Sequence, residues 1–215
     1  MAFYTAEGSK FYFSETFAAD KIVTGISNAD PAIATAADHG LVDNDEVLLI
    51  SGWEEATENV FKVDQLSANT FSLLGLDATD TRFHPSGTGG GVVKKISNWV
   101  EIPQVLSIET SGGDPRFIDV QLLASQYASR IPTGFNPFSA TLTLAHDPAN
   151  AVYKQMLGIG RVRKLVAFKI VVAGGGVSYA YGYMSASEAA QLQAGQVNQV
   201  QAAMTFQRRL ISYGA

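Results

Sequence analysis

The chain contains no cysteine. It can build neither a disulfide framework nor a thiolate metal centre, which suits synthesis in a reducing cytoplasm. No apolar run approaches the roughly 20 residues that a membrane-spanning helix needs. Met1 to Lys10 has no basic region followed by an apolar core, so no signal peptide and no export by the usual routes are expected. Lysine and arginine number only 15 among 215 residues and form no stripe. That weighs against tight nucleic-acid binding, which works by neutralising phosphates with clustered cations.

Chemistry-bearing constellations are equally scarce. His39, His84 and His146 lie in different turns, none with a second histidine or a carboxylate at ligand spacing. Asp43, Asp45 and Glu46 resemble an acidic cation loop but lack the full EF-hand pattern, and a solvated turn accounts for them. There is no Gly-x-Ser-x-Gly elbow. Glu54 and Glu55 are neighbours, so on a strand they would point to opposite faces rather than work as a glycosidase pair. Gly158-Ile-Gly160 echoes a phosphate loop but follows a helix pattern, where a dinucleotide site needs a strand. The expectation is a protein that is not an enzyme and uses no cofactor and no metal.

What is present is the raw material of β-structure. Apolar residues make up 47% of the chain, ample for a core, and 20 glycines and 7 prolines are scattered as turn punctuation. Lys10 to Thr16 reads as a first strand. Then Ile22 to Ile26, Ala32 to Ala36, Glu46 to Ile50, Val60 to Leu66 and Thr70 to Leu74 read as five short strands, separated by turn signals such as Asp38-His-Gly40 and Ser67-Ala-Asn69. Ser86-Gly-Thr-Gly-Gly-Gly91 closes this segment. Charge is concentrated here: from Lys21 to Ser97 there are 11 acidic and 5 basic residues, against 9 and 10 in the remainder. We read residues 21–97 as a small β-module inserted into a larger domain of residues 1–20 and 98–215. We expect the module to face outward as a decoration that the larger domain tolerates losing.

The second half carries longer strands. Trp99 to Glu109 is extended, with Pro103 marking an edge or a bulge. Phe117 to Leu123, Ala140 to Leu144 and Val197 to Leu210 alternate apolar and polar residues, the pattern of one packed and one wet face. Asp147-Pro148 starts the single helix, with Val152, Met156 and Ile159 buried and Gly158 ending it. Leu165 to Val172 and Val177 to Met184 form a hairpin in which Tyr179, Tyr181 and Tyr183 share a face. One short helix cannot cover both faces of such a sheet. The expected fold is therefore all-β, mainly an antiparallel β-sandwich or partial barrel with one short helix, plus the small module. The wet face would consist of Asp119, Gln121, Thr141, Thr143, Gln199, Gln201 and Thr205. With neither lysine nor arginine among them, they suit the wall of an aqueous channel that DNA passes without adhering.

The run Asn98-Trp-Val-Glu-Ile-Pro-Gln-Val-Leu-Ser-Ile-Glu-Thr110 resembles the second strand of tail tube proteins from long, non-contractile-tailed bacteriophages. So do Arg116 to Leu123, Ser125-Gln-Tyr-Ala-Ser-Arg-Ile-Pro-Thr-Gly134, the Thr-rich strand, the Asp147-Pro148 helix and the closing hairpin with Tyr181-Gly182-Tyr183. The resemblance covers residues 1–20 and about 98–213. Residues 26–73 are similar to a small β-module common in phage structural proteins, although Asp43-Asn-Asp45 stands where that module usually has Gly before Asp.

The resemblance implies a structural virion protein of the phage tail. Six subunits would form a ring, and stacked rings would enclose a channel around a tape-measure protein, through which DNA later passes without specific binding. Tail-end proteins would be further partners, and assembly would take place in the host bacterial cytoplasm. It also implies that the loop 124–137 bridges rings through Gln126, Tyr127, Arg130, Ile131, Pro132 and Phe135. Two alternatives compete. One is a virion decoration or host glycan-binding module using the three tyrosines, and the other is a β-sandwich hydrolase built from scattered carboxylates.

Overall fold

The computed structural model describes residues 7–214, so residues 1–6 and 215 of the expected larger domain lie outside the described residues. In chain order the first strands are β1 (Lys10–Ser14), β2 (Thr16–Phe17), β3 (Lys21–Val23), β4 (Gly25–Ile26), β5 (Ala32–Thr35), β6 (Glu46–Ser51), β7 (Asn59–Gln65), β8 (Thr70–Leu74) and β9 (Gly91–Ser97). There follow β10 (Val100–Glu101), β11 (Val105–Ser111), β12 (Pro115–Val120), β13 (Ser129–Phe135) and β14 (Ser139–Ala145). The helix α1 (Ala151–Val162) precedes β15 (Leu165–Val171), β16 (Val177–Ala186), β17 (Gln199–Phe206) and β18 (Ile211–Tyr213). The chain is all-β and sandwich-like, with one short helix, as the alternation patterns predict.

The main sheet runs β10-β1-β15-β16-β17-β14-β11, with β18 also on β16. Its ends reveal its shape. β10 and β11 are separated by only residues 102–104, yet they lie at opposite edges of the seven-strand order. A flat sheet would hold those edges about 29 Å apart at ~4.8 Å per strand step. The short connection spans at most about 14 Å. The sheet therefore curls so that its edges approach, without closing. This also explains why Trp99 to Glu109 is not one strand. Ile102-Pro103-Gln104 breaks it, Gln104 has a positive φ of 60°, and the two pieces serve different edges.

Period-two alternation sorts the main sheet's residues onto two faces. On the concave core face lie Phe11, Phe13, Val166, Phe168, Ala180, Met184, Leu142, Leu144, Ala202, Met204 and Phe206, closed over by Met156 and Ile159 of α1. The helix begins later and runs further than expected. Asn150, not Asp147, is the N-cap, and its side chain accepts from the amides of Val152 (2.8 Å) and Tyr153 (3.3 Å). Asp147 instead accepts from Ala149 N–H, holding the preceding turn. Gly158 does not end the helix, which stops only at left-handed Arg163. Gly160 lets α1 lie close on the sheet: a Cβ there would stand 3.2 Å from Ser185 Cα.

The second sheet, β2-β9-β6-β7-β8-β5-β4 with β3 also on β9, spans residues 16–97 and has its own core of Trp53, Phe61, Phe71, Leu73, Val47 and Leu49. β9 has no counterpart in the sequence reading because Lys94-Lys95 interrupts its alternation. Both lysines reach out to carboxylates, Lys94 to Asp20 (3.1 Å) and Lys95 to Asp45 (2.7 Å).

The two sheets are firmly joined. Leu48, Val60 and Ile96 of the second pack on Ala167 and Tyr179 of the first. Within this junction sits Glu46, whose side chain is only 12% exposed. It accepts from Lys169 Nζ at 2.6 Å, from the Tyr179 hydroxyl and from the Trp99 indole N–H. Tyr213 adds a clasp from near the C-terminus. Its hydroxyl donates to the Leu74 carbonyl (2.7 Å) and accepts from the Lys62 amide (3.0 Å), while β18 pairs with β16. Removing residues 21–97 would strand these groups in water. The expectation that the rest of the chain tolerates their loss is at odds with this junction.

Candidate functional site

Three strands at one edge of the main sheet set the first candidate surface. Between β11 and β14, Ser107 pairs with Thr143, Glu109 with Thr141 and Ser111 with Ser139. Between β14 and β17, Thr143 pairs with Gln201, Thr141 with Ala203, Ser139 with Thr205 and Ala145 with Gln199. Because directly paired residues point the same way, all of these form one polar face opposite the buried Leu142, Ala202 and Met204. No lysine or arginine occurs anywhere in the three strands. Among the described residues β11 is also the terminal strand, paired only with β14, so its outer backbone groups are open to a further strand.

Five residues expected on the wet face, Thr141, Thr143, Gln199, Gln201 and Thr205, are thus brought together. Asp119 and Gln121 are not, because β12 does not enter the main sheet. Among the described residues it pairs only with β13, in a separate two-stranded arm. There Asp119 forms an exposed ion pair with Arg130 (3.2 Å), and the Gln121 amide donates to the carbonyls of Leu122 and Ser125. The acidic group on the polar face is Glu109. Its signal in the sequence is the Ser107, Glu109, Ser111 alternation, which a single strand from Trp99 to Glu109 masks.

The arm is the second candidate surface. The alternation of Phe117 to Leu123 predicts a packed apolar face, but among the described residues neither face of β12 is packed. Phe117, Ile118, Leu122, Leu123, Tyr127, Ile131 and Phe135 are all exposed. Half of the expected loop 124–137 is strand: of its six expected contact residues, Arg130, Ile131, Pro132 and Phe135 lie in β13, and Gln126 and Tyr127 belong to the connecting turn. Pro132 and Gly134 read as strand breakers. They are accommodated because the register shifts between Arg116 and Phe117, which leaves Thr133 bulged, and because β13 has no second partner strand among the described residues. An Arg130 guanidinium over the Phe117 ring (5.2 Å) is among the few contacts that order the arm.

Other candidates are absorbed by structure. Tyr179, Tyr181 and Tyr183 do share a face, but the second sheet covers it. Tyr179 is buried beside Glu46, Tyr181 meets Phe17 edge-on (6.1 Å), and only Tyr183 is exposed. They form no open sugar platform. Burial, reinforced by the Glu46 carboxylate, pushes the Tyr179 hydroxyl pKa up, and burial pushes that of Tyr213 up to about 12.

Asp43 accepts from the Gln65 amide and Asp45 from the Val42 amide, so the acidic turn is internally satisfied. The His39 ring accepts from Leu41 N–H at Nδ1, which leaves Nε2–H to donate to the Ser67 carbonyl. Glu54 and Glu55 sit in a turn, not on a strand, and Glu54 pairs with Arg208 (2.8 Å). Gly158 and Gly160 lie inside α1. Among the described residues no group of three or more His, Asp or Glu side chains is placed to hold a metal ion, and no helix is long and apolar enough to cross a membrane.

The arrangement is thus suited to making contacts with other chains. Against known proteins, a family model described as "Phage tail tube protein, TTP" matches residues 51–215. No curated protein matches the chain.

Proposed function

The chain belongs to the phage tail tube protein family, and on that premise we propose that it forms stacked hexameric rings around a channel for DNA. The family is structural, so the protein is a virion component that self-assembles into a tube rather than an enzyme. The observation that carries the finer reading is the polar face of β11, β14 and β17, without a single cation, beside an open strand edge. Joining β11 to the edge of a neighbouring subunit would continue that face around a ring. Thr141, Thr143, Gln199, Gln201 and Thr205, with Glu109, would then line the bore. Phosphates meet no ion-pair partner on such a wall, and the carboxylates repel them.

Asp119 and Gln121 belong to the arm instead. The arm, with Tyr127, Ile131 and Phe135 exposed, is suited to bridging successive rings. A tape-measure protein inside the bore and tail-end proteins at its termini complete the proposal, with assembly in the host bacterial cytoplasm. The division into a tube domain, residues 1–20 and 98–215, and a module at 21–97 is also proposed.

Electron microscopy of the concentrated protein tests the reading. Hollow tubes or stacked rings with six-fold end views are expected. A monomer at every concentration would overturn it.

A further inference from the structure

The arm carries two unlike surfaces at its two ends. Its tip, Gln121 to Ala128, has no charged residue and presents Leu122, Leu123 and Tyr127 to solvent. At its base lies a cleft of about 550 Å³, between Phe135 to Phe138, Phe206 to Arg209 and Glu55 of the turn between β6 and β7. Gly113 shapes its wall: it has φ +76°, and a Cβ there would strike the Phe138 ring at 2.4 Å. Exposed Phe135 and half-buried Phe138 make the accessible wall apolar, with buried Phe206 behind it. Arg208 and Arg209 supply donors at the rim, and Arg208 Nε is buried without a hydrogen-bond partner.

We propose that the arm tip of one subunit seats in the arm-base cleft of the next, placing Leu122, Leu123 and Tyr127 against Phe135 and Phe138. This rests on the tube reading above and names the receiving surface for the arm. The two surfaces are complementary. The cleft is of a size that ordinarily takes a compact apolar group with a few directed polar contacts. The tip offers apolar side chains together with uncharged acceptors, the carbonyls and amide oxygens of Gln121 and Gln126. An anionic guest is disfavoured, because Glu54 and Glu55 already offset the two arginines.

Nor can one subunit satisfy itself. Six strand residues hold tip and base about 20 Å apart. Tip and cleft are different patches, so the contact is heterologous and passes from copy to copy, as an open-ended assembly requires. Large exposed apolar surface is ordinarily covered by a partner, and tyrosine is favoured at the centre of such contacts.

The absence of native cysteine makes the test clean. Leu123→Cys and Gln207→Cys are prepared separately, both at exposed positions, and mixed before assembly. A short bifunctional thiol crosslinker is then added. A mixed dimer of the two variants is expected in assembled tubes, with little product from either variant alone. Tubes that form normally and yield no mixed dimer overturn the tip-and-cleft contact and leave the tube reading standing. A Gln207→Cys homodimer as the main product also overturns it, since that requires cleft to face cleft. Failure of any assembly overturns both.

Discussion

Glu46→Ala is the sharpest probe of how the second sheet is held to the first. Three donors converge on this carboxylate: Lys169 Nζ at 2.6 Å, the Tyr179 hydroxyl and the Trp99 indole. The alanine variant leaves all three facing a small void. Breaking a buried ion pair from one side costs about 3–5 kcal/mol, because the remaining charge stays uncompensated. Lys169 is 24% exposed and can recruit water, which places the cost at the lower end, about 3 kcal/mol.

For a chain of this size each kcal/mol moves Tm by about 2–4 °C, so a fall of roughly 6–12 °C is expected in thermal unfolding of the subunit. The loss should be local at first, with protease gaining access to residues 16–97 and Trp99 fluorescence shifting toward that of a solvated indole. Glu46→Leu combined with Lys169→Met, which fills the junction with apolar groups, should recover most of the stability, since a buried pair is often no better than the apolar isosteres that replace it. A Tm within about 2 °C of the parent for Glu46→Ala, less than one kcal/mol, would refute the reasoning.

Tyr213→Phe should cost about 1–3 kcal/mol, because the Leu74 carbonyl and the Lys62 amide lose their partner; unchanged denaturant midpoints would contradict this. The parent's stability should fall as pH rises from about 10 to 12, since the unfolded chain gives up the Tyr213 proton while the fold, with that pKa near 12, retains it. Tyr213→Phe should flatten that fall, and an unaltered slope would assign the effect elsewhere. Gly158→Ala, at an exposed helical site with nothing within 4 Å of the new Cβ, should raise stability by about 1 kcal/mol. Gly182→Ala, whose Cβ would lie 2.1 Å from the Thr205 carbonyl oxygen, should lower it by about 3 kcal/mol or more; equal melting curves for the pair would refute the packing of β16 on β17. On the proposed lumen, Glu109→Lys with Thr141→Lys should leave tubes intact but slow genome delivery, with the delay shrinking at higher salt; normal delivery at low salt would remove these residues from the bore.

Much was legible in the sequence because it is written in local pattern. Alternation in Ala140 to Leu144 and Gln199 to Phe206 places Leu142, Ala202 and Met204 in the core and Thr141, Thr143 and Gln201 outside, since a strand's side chains can only alternate. Val152, Met156 and Ile159 mark the helix's packed side in the same way. What the pattern cannot carry is which strand lies beside which. Phe117 to Leu123 alternates like its neighbours, yet β12 leaves the main sheet for an arm that none of the other described residues covers. Asp119 therefore parts from Thr141, and Glu109 takes its place. Glu46 looked like one more acid in a charged turn. Lys169 and Tyr179, more than 120 residues along the chain, make it the centre of a junction. Alternation is a property of consecutive residues, fixed by backbone sterics alone. Pairing order, sheet curl and the meeting of Glu46 with Lys169 depend on which distant surfaces bury one another, and only the folded chain decides that.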